Sequence, residues 1–335
     1  MNDLTKNRLS DWLRRQGHIA AEPLEVKVLA GGQSNPTYLL SSGSERMVLR
    51  KKPDGELLKS AHAIDREYRV INALQGSAVP VPAAIAWCDD EAIVGTPFYL
   101  MSYLEGRVYV DQSLPALSAA EREAVYREMN RVIAALHEVD VDQAGLSDFG
   151  RKEGFLSRQI DRWSRQLQAS ALPLSDSMRK LMAWLPHNAP AQRRASLIHG
   201  DFRLDNLIFH PTEWRVMGVL DWELSTLGDP MSDFAYHCMS WHIPPTLWRG
   251  IAGLELQSLG IPDERRYRSW YAQSHGEVDE AEWRFYLGFN LFRMAAILHG
   301  IAERAQQGNA NSADAVQTGQ KAAPLAELAC AVVRL

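Results

Sequence analysis

Residues 198–206 read IHGDFRLDN, and residues 216–223 read VMGVLDWE. Asp201, Asn206 and Asp221 thus supply a carboxylate, a neutral amide oxygen and a second carboxylate, each following a short apolar run. Phosphoryl transfer from a nucleotide uses such a set. One carboxylate orients the attacking hydroxyl, and hard oxygen ligands hold Mg²⁺ on the phosphates. A polar turn followed by a strand would explain either half taken singly. The two halves together favour a site.

Further upstream, MVLRKK (47–52) reads as a strand. Alternation puts Val48, Arg50 and Lys52 on one face and Met47, Leu49 and Lys51 on the other. The stretch 60–75 reads as a helix whose apolar stripe, Ile64, Tyr68, Ile71 and Leu74 or Gln75, also carries Glu67. A carboxylate on a buried stripe calls for a cation, because an unpaired buried charge is costly. Arg50 is the natural partner, and Lys52 replaces it if the register differs by two. Glu67 reaching solvent from the edge of the stripe is the bland alternative. Between the first two strands stands AGGQSNPTY (30–38). Gly31 and Gly32 let backbone approach a ligand, and Ser34 and Asn35 add donors, as in loops that lie over phosphates. A simple tight turn would use the same residues. PFYLMSYLEG (97–106) then leads out of a fifth strand. Backbone groups of Ser102, Tyr103 and Leu104 would face adenine there, with Glu105 and Gly106 making the turn.

The elements that position these residues are legible from periodicity. Strands are predicted at 24–29, 36–41, 46–51, 83–88 and 97–102, and short ones at 196–199, 206–209 and 215–220. An opening helix carries Leu9, Trp12 and Leu13 and stops at Gly17. Ser118 with Glu121 forms a capping box for a helix bearing Val125, Met129, Val132, Ile133 and Leu136. Later helices are predicted at 154–169, 230–241, 264–275, 280–306 and 314–334, and loops at 186–196 and 307–314. Asp229 reads as an N-cap with Pro230 in the first helical position. The expected organisation is α+β: a small sheet-rich N-terminal lobe, 1–102, and a larger, mainly helical C-terminal lobe, 103–335, with a cleft between them.

The chain has 335 residues, 46% hydrophobic and 23% charged, with a net charge of −5 and a pI near 6.1. No basic footprint marks a nucleic-acid binder. No run approaches the roughly 18 apolar residues of a membrane span, and the N-terminus lacks the pattern of a secretory signal. A cytoplasmic protein is expected. Cys88, Cys238 and Cys330 are dispersed, in neither a disulfide framework nor metal spacing. His137 and His199 read as packing residues, since no second ligand lies at helical spacing. Arg293 shares an apolar helix face with Phe289, Phe292, Ala296 and Gly300. It suits either a structural ion pair or an anionic substrate group.

The blocks LAGGQSNPTYLL, VLRKKP, DREYRVI, FYLMSYLEGRV, LIHGDFRLDNLIF and GVLDWELSTLGDPMSDFAY resemble the aminoglycoside-phosphotransferase-like family, small-molecule kinases with a protein-kinase-like bilobal fold. The resemblance makes Asp201 the catalytic base, Asn206 and Asp221 the Mg²⁺ ligands, Arg50 the phosphate-binding cation and Glu67 its partner, with ATP as the donor. Arg stands at position 50 where Lys is more usual, which keeps the charge but changes its geometry. DWE stands where protein kinases have D-F-G, and no A-P-E follows, which argues against a regulated protein kinase. Within the family, VLRKKP, DWELSTLGDP and AAILHGIAERAQQG are most similar to the kinase domain associated with acyl-CoA dehydrogenases. That implies a small-molecule acceptor, a hydroxyacyl-CoA thioester, and a functional link to an acyl-CoA dehydrogenase. An aminoglycoside, choline or homoserine acceptor is the rival within the same chemistry. A nucleotide-binding pseudokinase scaffold is the rival of another class.

Overall fold

Strand pairing follows the alternation seen in MVLRKK. In the computed structural model, which describes residues 2–29, 35–53, 64–307 and 314–335, strands β1 (Glu25–Val28), β2 (Thr37–Ser42), β3 (Glu45–Lys51), β4 (Ala84–Cys88) and β5 (Phe98–Ser102) form one antiparallel sheet in the order β1-β2-β3-β5-β4. Met47 and Leu49 of β3 pack with Phe98 and Leu100 of β5 and with Leu9 and Leu13 of helix α1 (Asp3–Arg15). The opposite face carries Arg50, directly across from Tyr99 in the β3–β5 register. Helix α2 (Ile64–Ala73) turns Ile64, Glu67, Val70 and Ile71 inward. The Tyr68 ring lies 5.8 Å from that of Tyr99.

The chain divides into two compact units, Met1–Arg107 with Asn206–Ser225, and Val108–Asp205 with Thr226–Leu335. The segment 206–225 therefore groups with the sheet rather than with a continuous 103–335 lobe. It is a hairpin, Leu207–Phe209 paired with Val216–Val219. Arg107 and Phe209 exchange backbone hydrogen bonds of 2.8 Å, and the Val219 amide donates to the Pro80 carbonyl. Gly218 leaves room for the Leu104 side chain, which a Cβ would meet at 2.4 Å.

The second unit is mainly helical: α3 (Ala119–His137), α4 (Phe155–Gln168), α5 (Asp176–Asn188), α6 (Pro230–Cys238), α7 (Glu264–His275), α8 (Glu280–Gln306), α9 (Ala315–Gln320) and α10 (Ala322–Val333). The Ser118–Glu121 capping box starts α3, and Asp229 caps α6 with Pro230 at its first turn. Helix α8 is long and apolar enough to cross a membrane by composition. Yet 78% of its apolar window is buried in the protein, as a central core helix requires. Differences from periodicity are local. Helix α5, capped by Ser175, extends into the expected 186–196 loop. The 314–334 stretch is two helices meeting at Lys321. Thr226–Gly228 forms a short strand with Ser196–Ile198. Three-residue strands carry too little alternation to register as a period.

Candidate active site

The first unit gathers Arg50, Glu67, Asn206, Asp221 and Glu223. Arg50 Nε stands 2.9 Å from Glu67 Oε2, and its Nη2 donates to Asp221 Oδ1 at 2.8 Å, with Glu223 Oε2 at 4.0 Å. Glu67 is 1% exposed and also accepts from the Tyr99 hydroxyl at 2.9 Å and from Asn35 Nδ2 at 3.0 Å. Burial pushes the Glu67 carboxyl up to about 7, against the pull of Arg50 and the Tyr99 hydroxyl. For Arg50, burial works against the charge. The Glu67 and Asp221 carboxylates outweigh it and hold the guanidinium above its ordinary range.

Asn206 and Asp221 are brought together by the hairpin. Leu207 pairs with Val219, and the Leu220 amide donates to the Asn206 carbonyl at 2.9 Å, so both ligand candidates stand at one end of the ladder. Asp221 has φ 67° and ψ 56°, a left-handed conformation that Asp tolerates better than most residues. The 3₁₀ turn Trp222–Leu224 follows, locked by Trp222 Nε1 donating to the Val219 carbonyl and by Ser225 Oγ donating to the Trp222 carbonyl. This turn brings Glu223 back toward Arg50. Oxygens of Glu67, Asp221 and Glu223 lie within 4.8 Å of one another. Hard carboxylate oxygens at this spacing fit Mg²⁺, and Asn206 stands at the same hairpin end. Glu67 is committed to three donors. Asp221 and Glu223, with side chains 33% and 24% exposed, are the members able to take an ion.

The second unit holds Asp201. Strand Ser196–Ile198 delivers His199, and Gly200 turns the chain with φ 82°, a conformation that would strain a side-chain-bearing residue. The amides of His199 and Gly200 donate to the two oxygens of Asp233 at 2.9 and 2.8 Å. Asp233 is wholly buried on α6, and its Oδ2 also meets His137 Nε2 at 3.1 Å. His137 Nδ1 meets the Tyr271 hydroxyl at 2.7 Å. Burial would raise Asp233, but the His137 hydrogen bond and charge bring it below the usual carboxylate range. The Asp201 amide donates to His199 Nδ1 at 3.2 Å. Its carboxylate accepts from the Tyr236 hydroxyl and pairs with Arg203 Nε at 2.8 Å. Burial and the neighbouring Asp201 charge push the Tyr236 hydroxyl well up, so it stays a donor.

Some expectations change. Asn35 is fully buried with its amide on Glu67, so it braces the ion pair rather than presenting a donor to phosphates. The Ser102 amide donates to the Ala83 carbonyl, and its hydroxyl accepts from the Ala83 amide. Its backbone donor is spent in the sheet and does not face a ligand. Tyr103 lies under the Arg46 guanidinium, 5.0 Å from its ring centroid. Leu104 packs toward Gly218. Among the described residues, neither Tyr103 nor Leu104 enters a backbone–backbone hydrogen bond. Gly31, Gly32 and Ser34 lie outside the described residues. Among the described residues, Glu67 pairs with Arg50 and not with Lys52. Arg293 donates to the Gly200 carbonyl at 2.9 Å and lies over the Tyr236 ring, forming no ion pair among the described contacts.

Sequence reasoning missed Asp233, Tyr236 and Glu223. Asp233 follows the Asp229 cap by one helical turn in an otherwise apolar helix, the same signal that singled out Glu67. Glu223 is the E of DWE. Tyr236 left no signal that periodicity could read.

The phosphotransferase enzyme family model matches residues 25–296. Mouse acyl-CoA dehydrogenase family member 10 is 45% identical over 309 residues, covering 92% of this chain and 29% of the relative. Rat acyl-CoA dehydrogenase family member 11 is 41% identical, covering 91% and 39%. The chain thus spans well under half the length of either curated relative. A Ralstonia eutropha structure, provisionally named an aminoglycoside phosphotransferase, is 49% identical, with a TM-score of 0.90 and 98% of both chains covered. The GDP complex of aminoglycoside 2'-phosphotransferase-IIIa, at 17% identity and a TM-score of 0.64 over 99% of both chains, shares the kinase-like fold. With the family model spanning most of its length, the chain belongs to the phosphotransferase enzyme family.

Proposed function

We propose that the protein transfers the γ-phosphoryl group of ATP, with Mg²⁺, to a hydroxyl of a hydroxyacyl-CoA. The observation that supports this best is the Arg50 guanidinium shared between Glu67 and Asp221, which unites a strand, a helix and a hairpin end around one cation. A chain built only for stability gains little from such a charge cluster, since apolar packing serves as well.

Arg50 would move from Asp221 to the phosphates, keeping Glu67 as its anchor. Asp221 and Asn206 would hold Mg²⁺, with Glu223 beside them. The ion would supply charge neutralisation on the β- and γ-phosphate oxygens. Tyr103 and Leu104 would meet adenine through their backbone. Asp201, oriented by Tyr236 and Arg203, would align the acceptor hydroxyl. As the acceptor oxygen bonds to the γ-phosphorus and the β–γ bridging bond breaks, the hydroxyl proton passes to the Asp201 carboxylate and ADP leaves. The similarity to acyl-CoA dehydrogenase family members supports the choice of acceptor and a functional link to that chemistry.

Following ADP release and the phosphorus spectrum of the product tests this, with ATP and Mg²⁺ against a panel of hydroxyacyl-CoAs, aminoglycosides, choline and homoserine, and with Asp201→Asn as control. Phosphorylation of hydroxyacyl-CoAs that is lost in the variant is the expected result. Transfer confined to an amine or sugar acceptor overturns the acceptor assignment. Nucleotide binding with no transfer to any acceptor supports a scaffold instead.

A further inference from the structure

A second feature of the helical unit lies beside Asp201. Arg203 and Tyr236, both touching the Asp201 carboxylate, also line a narrow pocket whose other walls include Met239, Ile243, Trp248 and Arg249. Its volume is about 40 Å³. Space of that size admits only a few water-sized groups, so it takes the last carbons of a chain and not a sugar ring. Phe202, Met239, Ile243, Trp248 and Met294 make its apolar walls, with Gln112, His237 and Ser240 among them. The rim is cationic.

Asp205 Oδ2 sits between two guanidiniums, Arg203 Nη1 at 3.4 Å and Arg249 Nη1 in direct contact. Arg293 reaches the same loop through the Gly200 carbonyl, and its Nε is buried with no hydrogen-bond partner among the described residues. Lys321 Nζ lies 4.8 Å from the Trp248 ring centroid. Arg203 and Arg249 thus pair with Asp201 and Asp205, while Arg293 and the Lys321 ammonium add positive charge on neighbouring groups. A polycationic acceptor would meet repulsion there, and an anionic one attraction. Arg249, with its side chain 41% exposed, is the cation best able to turn outward, because Arg203 stays behind to neutralise Asp205.

We propose that this pocket receives the terminal carbons of a hydroxylated acyl acceptor, and that Arg249 determines specificity by pairing with the acceptor's anionic group, a carboxylate or a carrier phosphate. The placement of the hydroxyl at Asp201 rests on the phosphotransferase reading above. The charge and shape selection does not.

Calorimetric titration of the full chain with three ligands tests it: a medium-chain hydroxy acid, its CoA thioester and its methyl ester. For at least one of the two anionic ligands, Arg249→Ala should weaken binding tenfold or more, leaving the ester within twofold, and Arg249→Lys should recover part of the loss. Which anionic ligand responds identifies the source of the charge. Met294→Phe, which fills the pocket from α8, should weaken all three ligands. Equal loss for ester and anions in Arg249→Ala, or binding of none of the three by the wild-type chain, overturns the proposal. Initial rates on the same ligands separate the two readings. Selective binding without phosphoryl transfer sinks the transfer reading alone, while transfer indifferent to Arg249 sinks the pocket assignment alone.

Discussion

Glu67 and Asp233 are both buried carboxylates standing behind a candidate catalytic residue, yet their protonation is driven in opposite directions. Asp233 faces two backbone amides and His137, donors fixed by the strand and helix that carry them, and it is held below the usual carboxylate range. Glu67 faces Arg50, Tyr99 and Asn35, but Asp221 and Glu223 crowd the same guanidinium, and burial carries it up to about 7. Fixed dipoles satisfy an anion without asking anything else to move. A guanidinium shared among several acids leaves them in mutual repulsion, which a further cation would relieve. In the proposed mechanism the Asp201 loop stays in place while Arg50 exchanges partners.

The largest effect expected from this contrast is on turnover. Asp201→Asn keeps the shape of the loop and removes the proposed proton acceptor, so kcat should fall about 10²- to 10⁴-fold with little change in the KM for nucleotide. Initial rates at saturating acceptor check it. A comparable rise in nucleotide KM would instead place Asp201 in the exchanging cluster.

Removing the fixed anchor should cost stability next. Asp233→Ala strands two buried amides and His137, and should destabilise the protein by roughly 3–5 kcal/mol, measured by urea unfolding. A loss under about 1 kcal/mol would mean that the loop holds itself.

The smallest effect tests the poised carboxylate. Between its unfolded value near 4.5 and its folded value of about 7, Glu67 binds more protons in the folded state, so its contribution to stability is greatest below the window and declines as pH rises through it. Glu67→Gln should flatten the stability profile relative to wild type between those limits, by on the order of 1–3 kcal/mol. Asp233 should act in the opposite sense, its contribution lost as pH falls through its depressed folded value. Unfolding midpoints at several pH values compare the two. A profile unchanged by Glu67→Gln would show that Arg50 keeps Glu67 ionised throughout.

Much of this is legible in the amino-acid sequence. Alternation in MVLRKK placed Arg50 opposite Met47 and Leu49, and the 3.6-residue stripe placed Glu67 inward, because both periods follow from backbone geometry alone. Caps at Ser118 and Asp229 were readable because their side chains act within three residues. Asn35 misled because a donor in a glycine-rich stretch looks the same whether it faces a ligand or a buried acid. At Ser102 the amide is taken by the Ala83 carbonyl, because the neighbouring chain and not the local sequence decides which backbone groups a strand end leaves free.

The sequence alone therefore determined which residues carry charge at strand ends and on buried faces, since local periodicity and turn chemistry operate over a few residues. Tertiary structure decided which of those charges meet. The hairpin register joined Asn206 to the neighbourhood of Asp221, the 3₁₀ turn returned Glu223 to Arg50, and α6 delivered Asp233 beneath His199 and Gly200. Each of those meetings depends on long-range packing, which fixes distances that no interval in the chain encodes.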